Sequence, residues 1–329
     1  MPDLLLLLAI ILAALVYDFF NGFNDCANAI ATTVSTRALS PRAAIIMAWV
    51  LNFFGALSHT AVATTVGKGV IDPQHVSLAL VLVALIGASV WTGMASVSGI
   101  PVSVTHSLIG GLLGAGIVAS GFEIILLQGI NKILLAMILS PIFGFLGGLL
   151  LIVVVSWVFK NSSFRTVNRR FKRWQILSAA WMAFSHGMND AQNAMGVIAM
   201  ALVSYGALVT FEVPLWVMIV CASAMALGTS VGGWKVIKTM GSKVFKLQPV
   251  HGFSAETSAA AVIAGMSLFG APISTTHVIS TAIMGSGSSH GLSAVRWGIV
   301  KNIVIAWIIT IPASALIAGI LYFVVKLLS

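Results

Sequence analysis

Charge is what this chain has least of. Its 329 residues include only 8 Asp and Glu and 17 Lys and Arg, so charged residues make up 8% of the whole, against roughly a quarter in a soluble domain. With 59% hydrophobic residues and a mean hydropathy of +1.06, an ordinary soluble fold is excluded and an all-α integral membrane protein of many spans is indicated. Cysteine is almost as scarce. Cys26 and Cys221 both lie inside apolar segments, which excludes a disulfide framework and a cysteine-based metal centre. A net charge of +9 would suggest nucleic acid in a soluble protein. Here the basic residues sit in a few loops, where orientation in a lipid bilayer accounts for them. The first apolar run lacks a basic lead-in and a small-residue cleavage site, so it reads as a span rather than a cleaved signal.

Apolar windows of spanning length fall at 4–36, 43–66, 75–98, 130–158, 174–204, 213–232 and 300–325. Two shorter apolar arms, 101–118 and 272–289, each follow a Gly-x-Pro break, and 254–270 precedes the second. The order of spans and arms repeats, giving an N-terminal half 1–159, a basic linker 160–173 and a C-terminal half 174–329. Each half holds an odd number of crossings, so the second is expected to be inverted relative to the first. Placing the linker in the cytoplasm puts 14 of the 17 basic residues inside, leaving Lys68, Lys132 and Lys326 outside. Both termini then lie outside a cell membrane. Trp157, Trp174 and Trp297 at span ends read as interface anchors.

Two polar motifs interrupt this apolar background, and each occurs twice. Gly22-Phe23-Asn24-Asp25-Cys26-Ala27-Asn28-Ala29 matches Gly187-Met188-Asn189-Asp190-Ala191-Gln192-Asn193-Ala194 at a separation of 165 residues. An acid and two amides at membrane depth are costly unless they act there, and having them twice implies one site built from two halves. Gly99-Ile100-Pro101-Val102-Ser103-Val104-Thr105-His106 matches Gly270-Ala271-Pro272-Ile273-Ser274-Thr275-Thr276-His277. Glycine ends one helix and proline starts the next. Ser103, Thr105, Ser274, Thr275 and Thr276 then lie in first turns, beside free N–H groups and the positive end of the helix dipole, an anion-binding construction. The expected architecture is two inverted-topology repeats with broken helices and hairpin-like arms meeting near the midplane. His59, His106 and His277 lack metal-site spacing and are expected to be hydrogen-bonded structural residues.

The acids of this core are Asp25, Asp190 and Glu256, with no Lys or Arg beside them. Two unit charges 4 Å apart interact by about 4 kcal/mol at an effective dielectric near 20, and a helix dipole returns only about 0.3–2 kcal/mol. An oxyanion therefore has to enter with cations. Protons or sodium fit, the latter at Asp25, Asn28, Asp190 and Asn193. Glu256, in an apolar arm without an acidic counterpart in the first half, is expected to be a coupling residue. An ionised Asp accepts hydrogen bonds only, which suits the hydroxyl of hydrogen phosphate over sulfate. An anion channel has less need of paired acids, and an intramembrane enzyme at Asp25, Asp190 or His186 would rarely be duplicated.

The duplicated motifs, with Asp18-Phe19-Phe20-Asn21-Gly22 leading to Ala29-Ile30-Ala31-Thr32 and with Val295-Arg296-Trp297 before the last span, resemble the inorganic phosphate transporter (PiT) family, in particular its compact prokaryotic members. The resemblance covers nearly the whole chain. It implies a cation-coupled symporter importing inorganic phosphate by alternating access, not an enzyme, with no cofactor beyond the coupling ion. Asn24, Asp25, Asn28, Asn189, Asp190 and Asn193 with the Ser/Thr first turns would surround substrate and ions. Sulfate-carrying members of this architecture also exist. Asn24 stands where close bacterial members often carry His. Asn52 lies near a Glu of animal members and joins the coupling-ion candidates, and Val104 replaces the first Thr of the second copy. Sodium or proton coupling is left open, and so is a homodimer.

Overall fold

The computed structural model describes residues 2–72 and 75–328. Among the described residues twelve α-helices follow one another: α1 Pro2–Ser35, α2 Pro41–Ala56, α3 Ala61–Gly69, α4 Leu78–Ser98, α5 Val104–Ser120, α6 Leu127–Val158, α7 Phe164–Tyr205, α8 Leu215–Val231, α9 Trp234–Lys238, α10 Pro249–Leu268, α11 Thr275–Ser288 and α12 Trp297–Leu328. Among the described residues the β-structure is a single bridge between Ile71 and Ile125. Leu12, Phe54, Leu150, Ile308 and Leu316 face outward, while Asp18, Asp25, Asn28, Asp190 and Glu256 are buried. Apolar outside and polar inside is the arrangement that lipid requires.

Among the described residues four helices, α1, α4, α6 and α12, are each long and apolar enough to cross a membrane. Two expected spans are broken. The 43–66 window bends by 67° between α2 and α3, and the 213–232 window bends by 63° at Gly232-Gly233 on its way into α9. Mean hydropathy does not register Ser58-His59-Thr60 or a glycine pair as punctuation, although their backbone cannot continue a helix cheaply. The basic segment 160–173 is largely ordered. From Phe164 it forms the first turns of the 42-residue α7, capped by the Ser163 hydroxyl accepting from Thr166 N–H.

α4 and α5 form one hairpin, α10 and α11 the other. Their tips begin at Gly99 (φ 74°) and Gly270 (φ 63°), left-handed conformations that other residues rarely adopt. Lys235 donates to Val97 O and Thr239 to Gly99 O at the first tip. Lys132 donates to Phe269 O and Thr65 to Gly270 O at the second. The packing is exchanged between halves. α12 lies against α4 and α5, and α6 against α10 and α11, while α1 packs on α8 and α7 on α2.

A buried two-carboxylate centre between half-helices

The glycines of the first motif explain how the site is assembled. A Cβ on Gly22 would sit 1.9 Å from Met225 O, and one on Gly187 would sit 2.1 Å from Asn52 O. Any side chain there would hold α1 off α8 and α7 off α2. With hydrogen in its place, the next turn of each helix brings Asp25 and Asp190 to the centre. Oxygens of both carboxylates and a nitrogen of His186 lie within 4.8 Å of one another.

The second half-helix joins the two acids. Thr276 Oγ1 donates to Asp25 Oδ1 at 2.9 Å, and Thr275 Oγ1 donates to Asp190 Oδ2 at 2.7 Å. Both hydroxyls accept from Asn28 Nδ2, at 3.0 and 3.1 Å. The first half-helix does less. Thr105 Oγ1 accepts from Asn193 Nδ2 at 2.9 Å, and Val104 has no hydroxyl to match Thr275. Ser103 and Ser274 cap α5 and α11 by accepting from His106 and His277 N–H. That leaves the first two N–H groups of each helix without an intrahelical partner. The two helices meet at their matched histidines, His106 and His277, with ring centroids 4.9 Å apart and edge to face. The expectation that these side chains are hydrogen-bonded is corrected. Both His106 ring nitrogens and His277 Nε2 are buried without a partner among the described residues, and His277 instead stacks on Trp307.

Asn24 and Asn189 stand one step back. Asn24 Nδ2 donates to Ser96 Oγ at 2.6 Å. Asn189, in the amide orientation that satisfies its neighbours, donates to Asp190 Oδ1 and Ile273 O and accepts from Ser267 Oγ. Ser96 and Ser267 were not anticipated, yet the signal was present: each stands three residues before the tip glycine, so the repeat reads S-x-x-G-x-P-x-S-x-T-H.

Asn52 does not reach the acids. Its Nδ2 donates to Thr229 Oγ1 at 3.3 Å, which turns its Oδ1 towards His186 Nδ1 at 3.0 Å. The proton of a neutral His186 therefore sits on Nδ1, and the Nε2 lone pair faces Asp190 Oδ2 at 3.0 Å. A lone pair and two carboxylates converging this closely need a cation or a proton among them. The amide oxygens of Asn28 and Asn193 are buried and without hydrogen-bond donors among the described residues, so the predicted sodium ligands present free oxygens.

Glu256 lies apart from this centre. Thr32, Thr33 and Gln175 donate to its Oε1 at 2.5, 2.8 and 3.0 Å, and Ser178 donates to Oε2 at 2.5 Å. Thr32 follows Asp25 by two helical turns, about 10 Å along α1. The sequence pointed to the acid but not to its cage, because serines and threonines on apolar helices usually serve packing.

Known proteins place these features. The model of the phosphate transporter family matches residues 21–318. Over 99% of both chains, the sequence is 46% identical to a probable low-affinity inorganic phosphate transporter of Bacillus subtilis. A protein of the same description from Rhizobium meliloti is 47% identical over 98% of both. A solved structure described as the sodium-dependent phosphate transporter superposes with a TM-score of 0.91 at 30% identity, covering 98% of this chain and 100% of that one. The chain is thus a multi-pass membrane transporter rather than an enzyme, and it belongs to the phosphate transporter family.

Proposed function

We propose that this protein is a secondary symporter that imports inorganic phosphate together with sodium, by alternating access between inverted repeats 1–159 and 174–329. The observation that carries the reading is the convergence of Asp25 and Asp190 at the start of a half-helix, with no lysine or arginine buried among the described residues. Carboxylates within 4.8 Å of each other repel by about 3–4 kcal/mol at an effective dielectric near 20. A sodium ion held by Asp25, Asp190 and the free oxygens of Asn28 and Asn193 removes that repulsion and supplies the positive charge an anion needs. The first N–H groups of α5 and α11 then receive phosphate oxygens. The carboxylates favour the form that carries a hydroxyl, since they accept hydrogen bonds and cannot donate them. The structural neighbour is named for its sodium dependence, which agrees with this ion. The caged carboxylate of Glu256 is assigned a coupling role away from the substrate.

The decisive experiment is phosphate uptake by purified protein in liposomes, with sodium and pH gradients imposed separately. Accumulation of phosphate above its external concentration under an inward sodium gradient is expected. Passive equilibration that ignores both gradients would mean a channel.

A further inference from the structure

We propose that Asp18 is a proton-binding residue of the transport cycle, separate from the Asp25–Asp190 centre; this rests on the symport reading above. Asp18 lies in the middle of the α1 span, fully buried, and neither carboxylate oxygen has a hydrogen-bond partner of good geometry among the described residues. Its polar neighbours are the Cys221 thiol on α8 and the Asn21 amide one turn along α1. Among the described residues, the three helices in widest contact with α1 bring it no positive countercharge. α4 has no titratable residue, and α8 contributes only Cys221. α7 presents Asp190 and the His186 already engaged with it. On α1 itself, Tyr17 directs its hydroxyl to Val104 O at 3.0 Å, and Asp25 lies two turns on.

A bare carboxylate in such a place needs either an ion or a proton. One amide and one thiol offer too few oxygens to replace the hydration shell of a metal cation. A proton needs only one acceptor, and the buried Asn21 Oδ1 is without a donor among the described residues. Loading a proton is therefore the chemistry these surroundings permit. The proton passes from a hydronium ion to Asp18, one O–H bond breaking as the other forms, and returns to water by the reverse step.

Position connects this residue to the centre. Asp18, Asn21, Asp25, Asn28 and Thr32 are spaced three and four residues apart and so share one face of α1. Asn21 Nδ2 donates to Asp190 O at 3.2 Å, tying the amide beside Asp18 to the backbone of the centre. A charge appearing at Asp18, about 10 Å from Asp25, alters the affinity of that centre for an anion by roughly tenfold at an effective dielectric near 20.

The test compares wild type with Asp18→Asn, which fixes the neutral form, and Asp18→Glu, which keeps a titratable acid. Phosphate uptake into liposomes is measured with equal sodium on both sides and an inward proton gradient, and separately with a sodium gradient at constant pH. Several-fold stimulation by the proton gradient is expected in wild type and Asp18→Glu. In Asp18→Asn that stimulation should vanish, while sodium-driven uptake, compared at a pH low enough to keep wild-type Asp18 protonated, stays within about twofold. A folded Asp18→Asn protein that keeps the proton response, or one that loses phosphate binding altogether, overturns the proposal. Wild-type uptake that follows sodium but ignores the proton gradient also overturns it and leaves sodium symport standing. No uptake under either gradient removes both. If Asp18→Asn does not fold, Asp18→Glu decides: its proton stimulation should persist with the pH midpoint displaced, and stimulation with an unchanged pH midpoint excludes Asp18.

Discussion

At the scale of single residues, the centre depends on hydroxyls that touch acids. Thr276 is bonded to Asp25 and to Asn28, so Thr276→Val leaves a buried carboxylate and an amide each short of a partner. Hydrogen bonds to charged groups are worth about 1.5–3 kcal/mol. Phosphate affinity should fall between about tenfold and a hundredfold, read by titration at fixed sodium. Glu256→Gln places an NH2 group among four donors, Thr32, Thr33, Gln175 and Ser178. Sodium dependence of uptake should flatten; a variant with the wild-type sodium and pH profiles would strip Glu256 of its coupling role. Sulfate, fully ionised at neutral pH, should compete far less well than arsenate, which keeps a hydroxyl, in the same uptake assay. The Asn-Asp motifs were legible in the sequence because duplicated polar residues stand out against an apolar background. The cage of Glu256 was not, since its donors come from α1 and α7, more than 100 residues apart, and none is unusual locally.

At the scale of helices, two close crossings set the geometry. Gly22→Ala forces a methyl group against Met225 O, and overpacking of this kind costs about 1–3 kcal/mol. Its thermal midpoint in detergent should drop measurably. Gly298→Ala, whose added Cβ meets nothing within 4 Å, should not move it. Helix existence was readable from hydropathy, and the hairpin tips from Gly-x-Pro. The bends after α2 and α8 escaped because an average over about 20 residues hides a break of two to four.

At the scale of the whole molecule, exchange of partners between halves was invisible in the sequence, which gives the order of elements but not their neighbours. The matched clasps at Gly99 and Gly270 are both closed here. Freeing one tip by Lys235→Ala with Thr239→Val should raise cysteine labelling at Ile100→Cys relative to the parent, while labelling beside the second tip at Ala271→Cys stays the same.

The exchanged packing also bears on biogenesis. Helices enter a membrane in the order in which they are synthesised, yet Asn28 finds Thr275 and Thr276 nearly 250 residues later. Until then the nascent first half holds two acids, Asp18 and Asp25, and several amides in lipid without their final partners, and its α4–α5 hairpin lacks α12. The early chain is therefore a candidate client for membrane chaperones and quality-control proteases. Expressed alone, residues 1–159 should be degraded quickly, and co-expression with 160–329 should rescue them, as a pulse-chase measurement of the first fragment would report.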